Sequence, residues 1–332
     1  MMNSQQTLFG DSRNSSQTIP PDIAECPEGQ TYEKETAGYP PEPARVPTIT
    51  LYHGDCIEGM ETKLEESTVD VVVTSPPYNI GVAYSSYDDS IPRHEYLDWI
   101  ERWGRAVRKV LKRNGSLFLN VGAKPSDPWG PFDVAGRLRA VFKLQNVIHW
   151  IKSIYVESSG YGEQIALNVG HFKPINSKRF LNDAHEYVFH FTPEGDVILD
   201  RLAIGIPYKD RSNIHRWKSG GKGIRCRGNN WYIPYPTIQW RSKDRPHPAS
   251  FPPELAEMCI RLHGVERVQL VLDPFLGIGN TAIASCRLGV GMVGFEIDKQ
   301  YLEEAQSRVA AYLDGKRNHG ASLGSRCVTC TL

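Results

Sequence analysis

Two short stretches of this sequence bring together residue types that do chemistry. The first is Ser75-Pro76-Pro77-Tyr78-Asn79, which follows the apolar run Val71-Val72-Val73. A hydroxyl, carbonyls and an aromatic face stand side by side there, and neither proline nitrogen carries a competing N–H donor. The set suits a flat molecule that bears an amine. Tyr78 supplies a stacking face, and the Ser75 hydroxyl and Pro76 carbonyl accept from N–H bonds. The plain alternative is a strand terminator. The second stretch is Asp273-Pro274-Phe275-Leu276-Gly277-Ile278-Gly279-Asn280-Thr281, an acid and a Gly-x-Gly turn between an apolar run and a helical one. Gly277 and Gly279 permit a tight turn and close backbone approach to a nucleotide-type cofactor. Ala282 stands where the dinucleotide fingerprint has its third glycine, an allowed variant. Asp273 ends one strand, and Glu296 ends the next, where an acid can take both hydroxyls of a ribose. A pyrophosphate beside Asp273 would be repelled. An amine and a ribose without phosphate, as in S-adenosylmethionine, would be welcomed. The plain alternative is a structural turn with a capping acid.

These residues need a scaffold that brings strand ends together. "TITLYHGDCIEGM" begins with an alternating strand, Thr48 to Tyr52, and "VDVVVTS" is the next strand. Apolar residues at Tyr96, Leu97, Ile100, Trp103, Val107 and Val110 predict an amphipathic helix, ended by Asn114-Gly115. "GSLFLNVG", "VIHWIKSIYV" and "HEYVFHFT" read as strands and "DVAGRLRAVFKL" as a helix. After residue 247 come a helix, a strand, the Gly turn, a helix, the strand "GMVGFEID" and a last helix. Strands alternating with helices predict an α/β fold: a Rossmann-like, mostly parallel sheet with helices on both faces. Ligands on such sheets sit at the carboxyl ends of the strands, so the two turns are expected to face one crevice.

The 332 residues suffice for one large α/β domain or two ordinary ones, and the net charge is zero. Charge is uneven, however. Between Arg201 and His247 there are 11 Lys or Arg against two acids, with Trp217, Trp231, Tyr232, Tyr235 and Trp240 interleaved. That mixture fits nucleic-acid contact, or an ordinary solvated loop region. No apolar run approaches the roughly 18 residues of a membrane span, and no secretory signal is apparent. Seven scattered cysteines favour a reducing compartment. The "CVTC" at 327–330 lacks partner ligands, and no metal is expected. The expected organisation is a disordered tail (1–46), a catalytic half (47–155), an irregular basic target-recognition region (156–246), a cofactor-binding half (247–314) and a flexible tail (315–332).

With these residues in view, the chain resembles the amino-methyltransferases of DNA, which methylate exocyclic nitrogens of cytosine or adenine. Their cofactor loop reads D-P-F-x-G-x-G-x-T, as does Asp273–Thr281 here; their catalytic motif reads S/D/N-P-P-Y/F, as does Ser75–Tyr78. "HPASFP" (247–252) and "YHGDCIEGM" are similar to two further motifs, and the order catalytic, variable, cofactor matches the group called β. The resemblance covers roughly residues 48–313. It implies S-adenosylmethionine as cofactor, double-stranded DNA as partner and a flipped-out target base. Catalytic roles fall to Ser75, Pro76, Pro77 and Tyr78. Cofactor contacts fall to Asp55, Cys56, Phe251, Asp273, Phe275, Gly277, Gly279, Thr281 and Glu296, and base or DNA contacts to Asn79, Trp150, Arg225, Arg227 and Arg241. Several have plain alternatives: a turn acid for Asp55, packing for Cys56, core for Phe251, Phe275 and Trp150, and a brace or simple turn for Asn79. No Cys follows a Pro directly, which sets aside the C5-cytosine chemistry. Ser-Pro-Pro-Tyr is more usual for cytosine N4 than adenine N6, and a hydroxyl can also donate to cytosine N3. Adenine N6 is the alternative, and an inactive DNA-binding regulator on the same scaffold is a remote one; nothing in the two motifs is damaged. A cytoplasmic, nucleoid-associated setting in a prokaryote or phage follows, and a homodimer or pairing with a restriction endonuclease is compatible with it.

Overall fold

The computed structural model describes residues 47–82, 86–157, 166–170, 176–208, 223–234, 250–318 and 328–331. Their strands are β1 (Ile49–His53), β2 (Val69–Thr74), β3 (Leu111–Val121), β4 (Lys143–Ile151), β5 (Ser153–Glu157), β6 (Ala166–Gly170), β7 (His185–Thr192), β8 (Ile206–Pro207), β9 (Ile224–Arg225), β10 (Asn230–Tyr232), β11 (Leu270–Asp273), β12 (Gly291–Glu296) and β13 (Val328–Thr331). The α-helices are α1 (Cys56–Lys63), α2 (Arg93–Val110), α3 (Gly130–Leu138), α4 (Pro253–His263), α5 (Asn280–Leu288) and α6 (Lys299–Asn318).

Nine strands form one sheet in the order β10-β4-β7-β3-β2-β11-β12-β1-β13. Only β7 runs antiparallel to its neighbours, β3 and β4. The expected mostly parallel α/β sheet is therefore present. Period-two alternation divides its residues between two cores. Val71 and Val73 pack with Leu255 and Cys259 of α4, Ala282 of α5 and Leu302 of α6. Val72 faces the other way, with Met60 of α1 and Tyr96, Ile100 and Trp103 of α2. Every residue of β2 is buried, as a central parallel strand covered on both faces requires. Its one acid, Asp70, is satisfied locally: it accepts from the Gln269 and Leu270 amides and from Lys112 Nζ at 2.6 Å.

Three expectations change. α2 ends at Val110, and β3 begins at once; Asn114-Gly115 lies in an irregularity of the β2–β3 ladder, where pairing jumps from Val69↔Leu111 to Val71↔Ser116. Within 156–246 the strand expected at "HEYVFHFT" is present as β7, interior to the sheet, and β10, which was not expected, forms an edge. Trp231, expected among basic surface aromatics, is buried, and its indole N–H donates to the Gly228 carbonyl. The tail 315–332 contributes β13, parallel to β1 at the other edge. Residues 1–46, Trp217, Tyr235, Trp240, Arg241, His247 and Cys327 lie outside the described residues.

Candidate active site

β2 and β11 are neighbours and point the same way, so the Ser75 and Asp273 turns leave the sheet side by side. Asp55, Cys56, Ser75, Pro76, Pro77 and Tyr78 line one cleft, together with Phe251, Phe275, Gly277 and Glu296. Ten of the expected catalytic and cofactor residues thus meet in one place. The cleft also takes in Tyr87, Trp99 and Asp298, which sequence reasoning missed. For Trp99 a signal existed: it lies four residues before Trp103, on the same helical face. Both rings pack on Phe275, at centroid distances of 5.6 and 5.5 Å.

The catalytic-type turn is held from several sides. The Tyr96 hydroxyl donates to the Pro77 carbonyl at 2.8 Å, tying the turn to α2. Asn79 has φ 57°, and its amide donates to Asp89 Oδ1 at 2.7 Å while its side chain donates to the Ile91 carbonyl. Asp89 also accepts from the amides of Ile80 and Val82. Asn79 is therefore a brace of the loop, and it does not line the cleft. Ser75 Oγ and the Tyr78 hydroxyl are 2.7 Å apart. Behind them lie Asn120 on β3 and Glu186 on β7, neither expected from the sequence. Asn120 Nδ2 donates to the Tyr78 oxygen at 2.8 Å and to Glu186 at 2.6 Å. Lys152 Nζ sits 2.7 Å from Glu186. Burial pushes the Glu186 carboxyl up, but Lys152 and the hydrogen bonds from Asn120 and Tyr78 outweigh it and hold it below the usual range. The signal for Glu186 was a lone acid on the strand face it shares with Val188 and His190.

On the cofactor-type side, Asp273 departs from expectation. It is 1 % exposed and does not line the cleft. Its Oδ1 accepts from Thr74 Oγ1 at 2.6 Å and from the Phe275 amide, and its Oδ2 accepts from Thr281 Oγ1 at 2.6 Å. It joins the end of β2 to the start of α5 and is not free to meet an amine. Burial pushes its carboxyl up to about 6, against the three hydrogen bonds it accepts. Thr281 and Gly279 likewise lie behind the cleft. Gly277 and Gly279 have φ of 53° and 79°, the left-handed region that glycine tolerates. A Cβ on Gly279 would also come within 3.0 Å of the Ala305 Cβ on α6. Glu296 accepts from the Gly277 and Asp298 amides at 2.7 and 2.9 Å, one on each oxygen. Asp55 caps α1 through the Ile57 and Glu58 amides. Cys56 packs: burial, with Asp55 beside it, pushes its thiol well above the usual range, so it is no nucleophile at neutral pH.

The residues expected to touch DNA are scattered. Trp150 is buried, and its indole N–H donates to the Ile233 carbonyl. It is core and not a cleft wall. Arg225 is exposed, whereas Arg227 Nε donates to the Ile204 carbonyl.

A cleft at the carboxyl ends of parallel strands, between the Ser75–Tyr78 turn on one side and the Gly277 turn with Glu296 on the other, lies where α/β enzymes of this class bind their ligands. A family model described as DNA methylase matches residues 69–307. The chain belongs to this family of N6 and N4 DNA amino-methyltransferases. It is 30% identical over 277 residues to the type II methyltransferase M.ScaI of Streptomyces caespitosus, covering 79% of this chain and 82% of that one. A candidate DNA modification methylase of Thermus thermophilus, solved with S-adenosyl-L-methionine, superposes with a TM-score of 0.53 at 25% identity, over 86% of this chain and 99% of that one. The cytosine-N4-specific PvuII DNA methyltransferase shares the fold, with a TM-score of 0.56 at 20% identity, over 83% of this chain and 95% of that one.

Proposed function

We propose that this protein transfers a methyl group from S-adenosyl-L-methionine to the exocyclic N4 of a cytosine flipped out of double-stranded DNA. One observation carries it: the Ser75–Tyr78 turn and the Gly277–Glu296 pair open into the same cleft. The donor set suits the cofactor. Glu296 keeps a lone pair on each oxygen after taking two amides, enough for a ribose diol, and Phe251 and Phe275 offer apolar walls for its base. When bound, the cofactor supplies an electrophilic methyl on a sulfonium. Everything else falls to this chain. An exocyclic amine is a poor nucleophile because its lone pair is delocalised into the ring. Ser75 Oγ and the Pro76 carbonyl accept from its N–H bonds and help localise that pair, while Tyr78 stacks on the ring. Proximity and electrostatics then provide most of the acceleration. Asp273, Thr74 and Thr281 act by holding the two turns in register.

Within this scheme residues 47–155 form the catalytic half and 247–314 the cofactor half. DNA contacts fall to the surface of 156–246 outside β7 and β10, with the exposed Arg225 among them. Serine at the head of the Pro-Pro motif favours cytosine over adenine, since that is its more usual partner in the family. The deciding experiment incubates the protein with the cofactor and unmethylated genomic DNA, then identifies the modified nucleoside by mass. N4-methylcytosine is expected. N6-methyladenine would overturn the choice of base, and DNA binding without either product would make the chain an inactive DNA-binding regulator.

Gly122 provides an independent check. A Cβ there would lie 2.8 Å from Tyr78 Cε2 and 3.2 Å from Glu186 Cδ. Gly122→Ala is expected to destabilise by about 1–3 kcal/mol through overpacking. It should also slow methyl transfer at least about tenfold, the effect of losing roughly 1.4 kcal/mol of alignment, with cofactor affinity unchanged in calorimetry. Unchanged transfer would mean that the Tyr78 ring need not stay where it lies.

A further inference from the structure

Glu186 is not part of either sequence motif, yet three side chains converge on it. Its Oε1 accepts from Lys152 Nζ at 2.7 Å; its Oε2 accepts from the Tyr78 hydroxyl at 3.1 Å and from Asn120 Nδ2 at 2.6 Å. Its side chain is only 16 % exposed. A carboxylate paired with a lysine can only accept, and an amide NH2 can only donate. Those two facts fix the direction of the remaining bonds. The Tyr78 proton goes to Glu186, and the Tyr78 oxygen accepts from Asn120 at 2.8 Å. With its proton committed, Tyr78 can only accept across the 2.7 Å contact to Ser75. Ser75 therefore donates inward, and its lone pairs are what it offers to the cleft. Asn120 Nδ2 also approaches Ser75 Oγ, at a long 3.5 Å, while its shorter contacts are those to Tyr78 and Glu186.

We propose that Glu186 is a positioning residue that sets the direction of the hydrogen-bond chain Ser75→Tyr78→Glu186 and so makes Ser75 an acceptor for the target amine. This rests on the amine-methylation function proposed above. It also removes the role of Ser75 as donor to a ring nitrogen, because the serine proton is spent on Tyr78. The chain is sensitive to one atom. In Glu186→Gln the carbonyl stays on Lys152, so the NH2 faces Tyr78. That NH2 also faces Asn120 Nδ2, a donor against a donor, and Tyr78 loses the carboxylate that took its proton, so nothing then holds the Ser75 proton inward and away from an N–H bond that needs an acceptor.

The test is single-turnover methyl transfer to unmethylated genomic DNA by wild type, Glu186→Gln, Glu186→Asp, Tyr78→Phe and the Gln/Phe double variant, with cofactor affinity measured on each. Glu186→Gln is expected to be about 10–100-fold slower, the range of one lost charge-assisted hydrogen bond, with cofactor affinity within about twofold of wild type on the same scale. Glu186→Asp keeps a carboxylate and is expected to be faster than Glu186→Gln. The double variant is expected to be no slower than the slower single variant, because both changes break one chain. Wild-type rate in Glu186→Gln, a glutamine variant as fast as the aspartate one, or fully multiplicative losses in the double variant would each overturn the inference while leaving the methylation function standing. A wild type that transfers no methyl to DNA would overturn the function itself and the inference with it.

Discussion

Methyl transfer by Tyr78→Ala is expected to fall about 10³-fold, with affinity for the cofactor within about twofold of wild type. Two losses combine. Stacking of a base on an aromatic ring is worth about 1–3 kcal/mol, and the alanine removes the ring. The phenol also takes the Ser75 proton at 2.7 Å and passes its own to Glu186. Without it the serine is free to rotate, and a preorganised acceptor of this kind contributes on the order of 10²-fold. Ser75→Ala removes only the acceptor and is expected to lose about 10²-fold. Cofactor binding should survive both changes, because Glu296, Gly277 and Phe251 come from β12, the turn after β11 and the segment before α4. Single-turnover rates and isothermal calorimetry on the same preparations separate the two effects. Loss of cofactor binding in either variant would show that the division of labour between the halves is wrong.

The second large expectation concerns acid. Ser116 lies at the centre of a buried chain in which Asn146 Nδ2 is 2.9 Å from His190 Nδ1. His190 Nε2 is 2.9 Å from Ser116 Oγ, and His263 Nδ1 is 2.9 Å from the same oxygen. The amide donates to His190 Nδ1, so the His190 proton sits on Nε2 and points at Ser116, whose own proton points at His263 Nδ1. Every acceptor nitrogen is used, and neither ring can take a second proton without opposing a donor. Burial accordingly pushes His190 down to about 3, with His263 adding to it, and His263 down to about 4, with Arg267 adding to it. The unfolded chain protonates these rings below pH 6.5 and the folded chain does not, so stability is lost as pH falls below 6.5. Each histidine contributes a slope of about 1.4 kcal/mol per pH unit. Asp273 acts in the opposite sense. Its raised carboxyl gains a proton in the folded state first, which offsets about one histidine between pH 6 and 4. For these three groups together the expectation is a loss of about 1.4 kcal/mol per unit, and the mark of the histidine chain is that His263→Gln flattens the dependence relative to wild type. Urea midpoints of wild type and His263→Gln at pH 7, 6, 5 and 4.5 measure this, and the same pH dependence in both proteins would refute the neutral-histidine chain.

Much of the frame was legible because it depends on periodicity and on turn chemistry. The all-apolar β2, the Trp103 face of α2 and the glycines at 277 and 279 each declare themselves locally. So did the meeting of two strand-end turns, since parallel strands put their carboxyl ends on one side. What stayed hidden depends on partners far along the chain. Asp273 reads as a free carboxylate at a strand end until Thr74, 199 residues away, and Thr281 are seen to occupy it. Glu186 reads as one polar residue in a strand until antiparallel pairing brings it beside Asn120 and behind Tyr78. Trp150 reads as a base contact from the resemblance, and Trp231 as a nucleic-acid aromatic because its neighbourhood is basic, but β10 lies against β4 and both rings are buried. Composition reports what a segment contains and not which face turns inward.

The Thr74–Asp273–Thr281 contact has a further consequence. Methyl transfer in line tolerates little lateral error between donor and acceptor, and the two loops that carry them are separate excursions of the chain. Here a single carboxylate rivets their roots together at the sheet, below the outer parts of both. The one bond between the two roots is the 2.6 Å contact from Thr74 to Asp273, and the 2.6 Å contact from Thr281 closes the second loop on the same carboxylate. With the two turns carrying acceptor and donor as proposed, such a joint fixes their roots from below, independently of the outer parts of either loop.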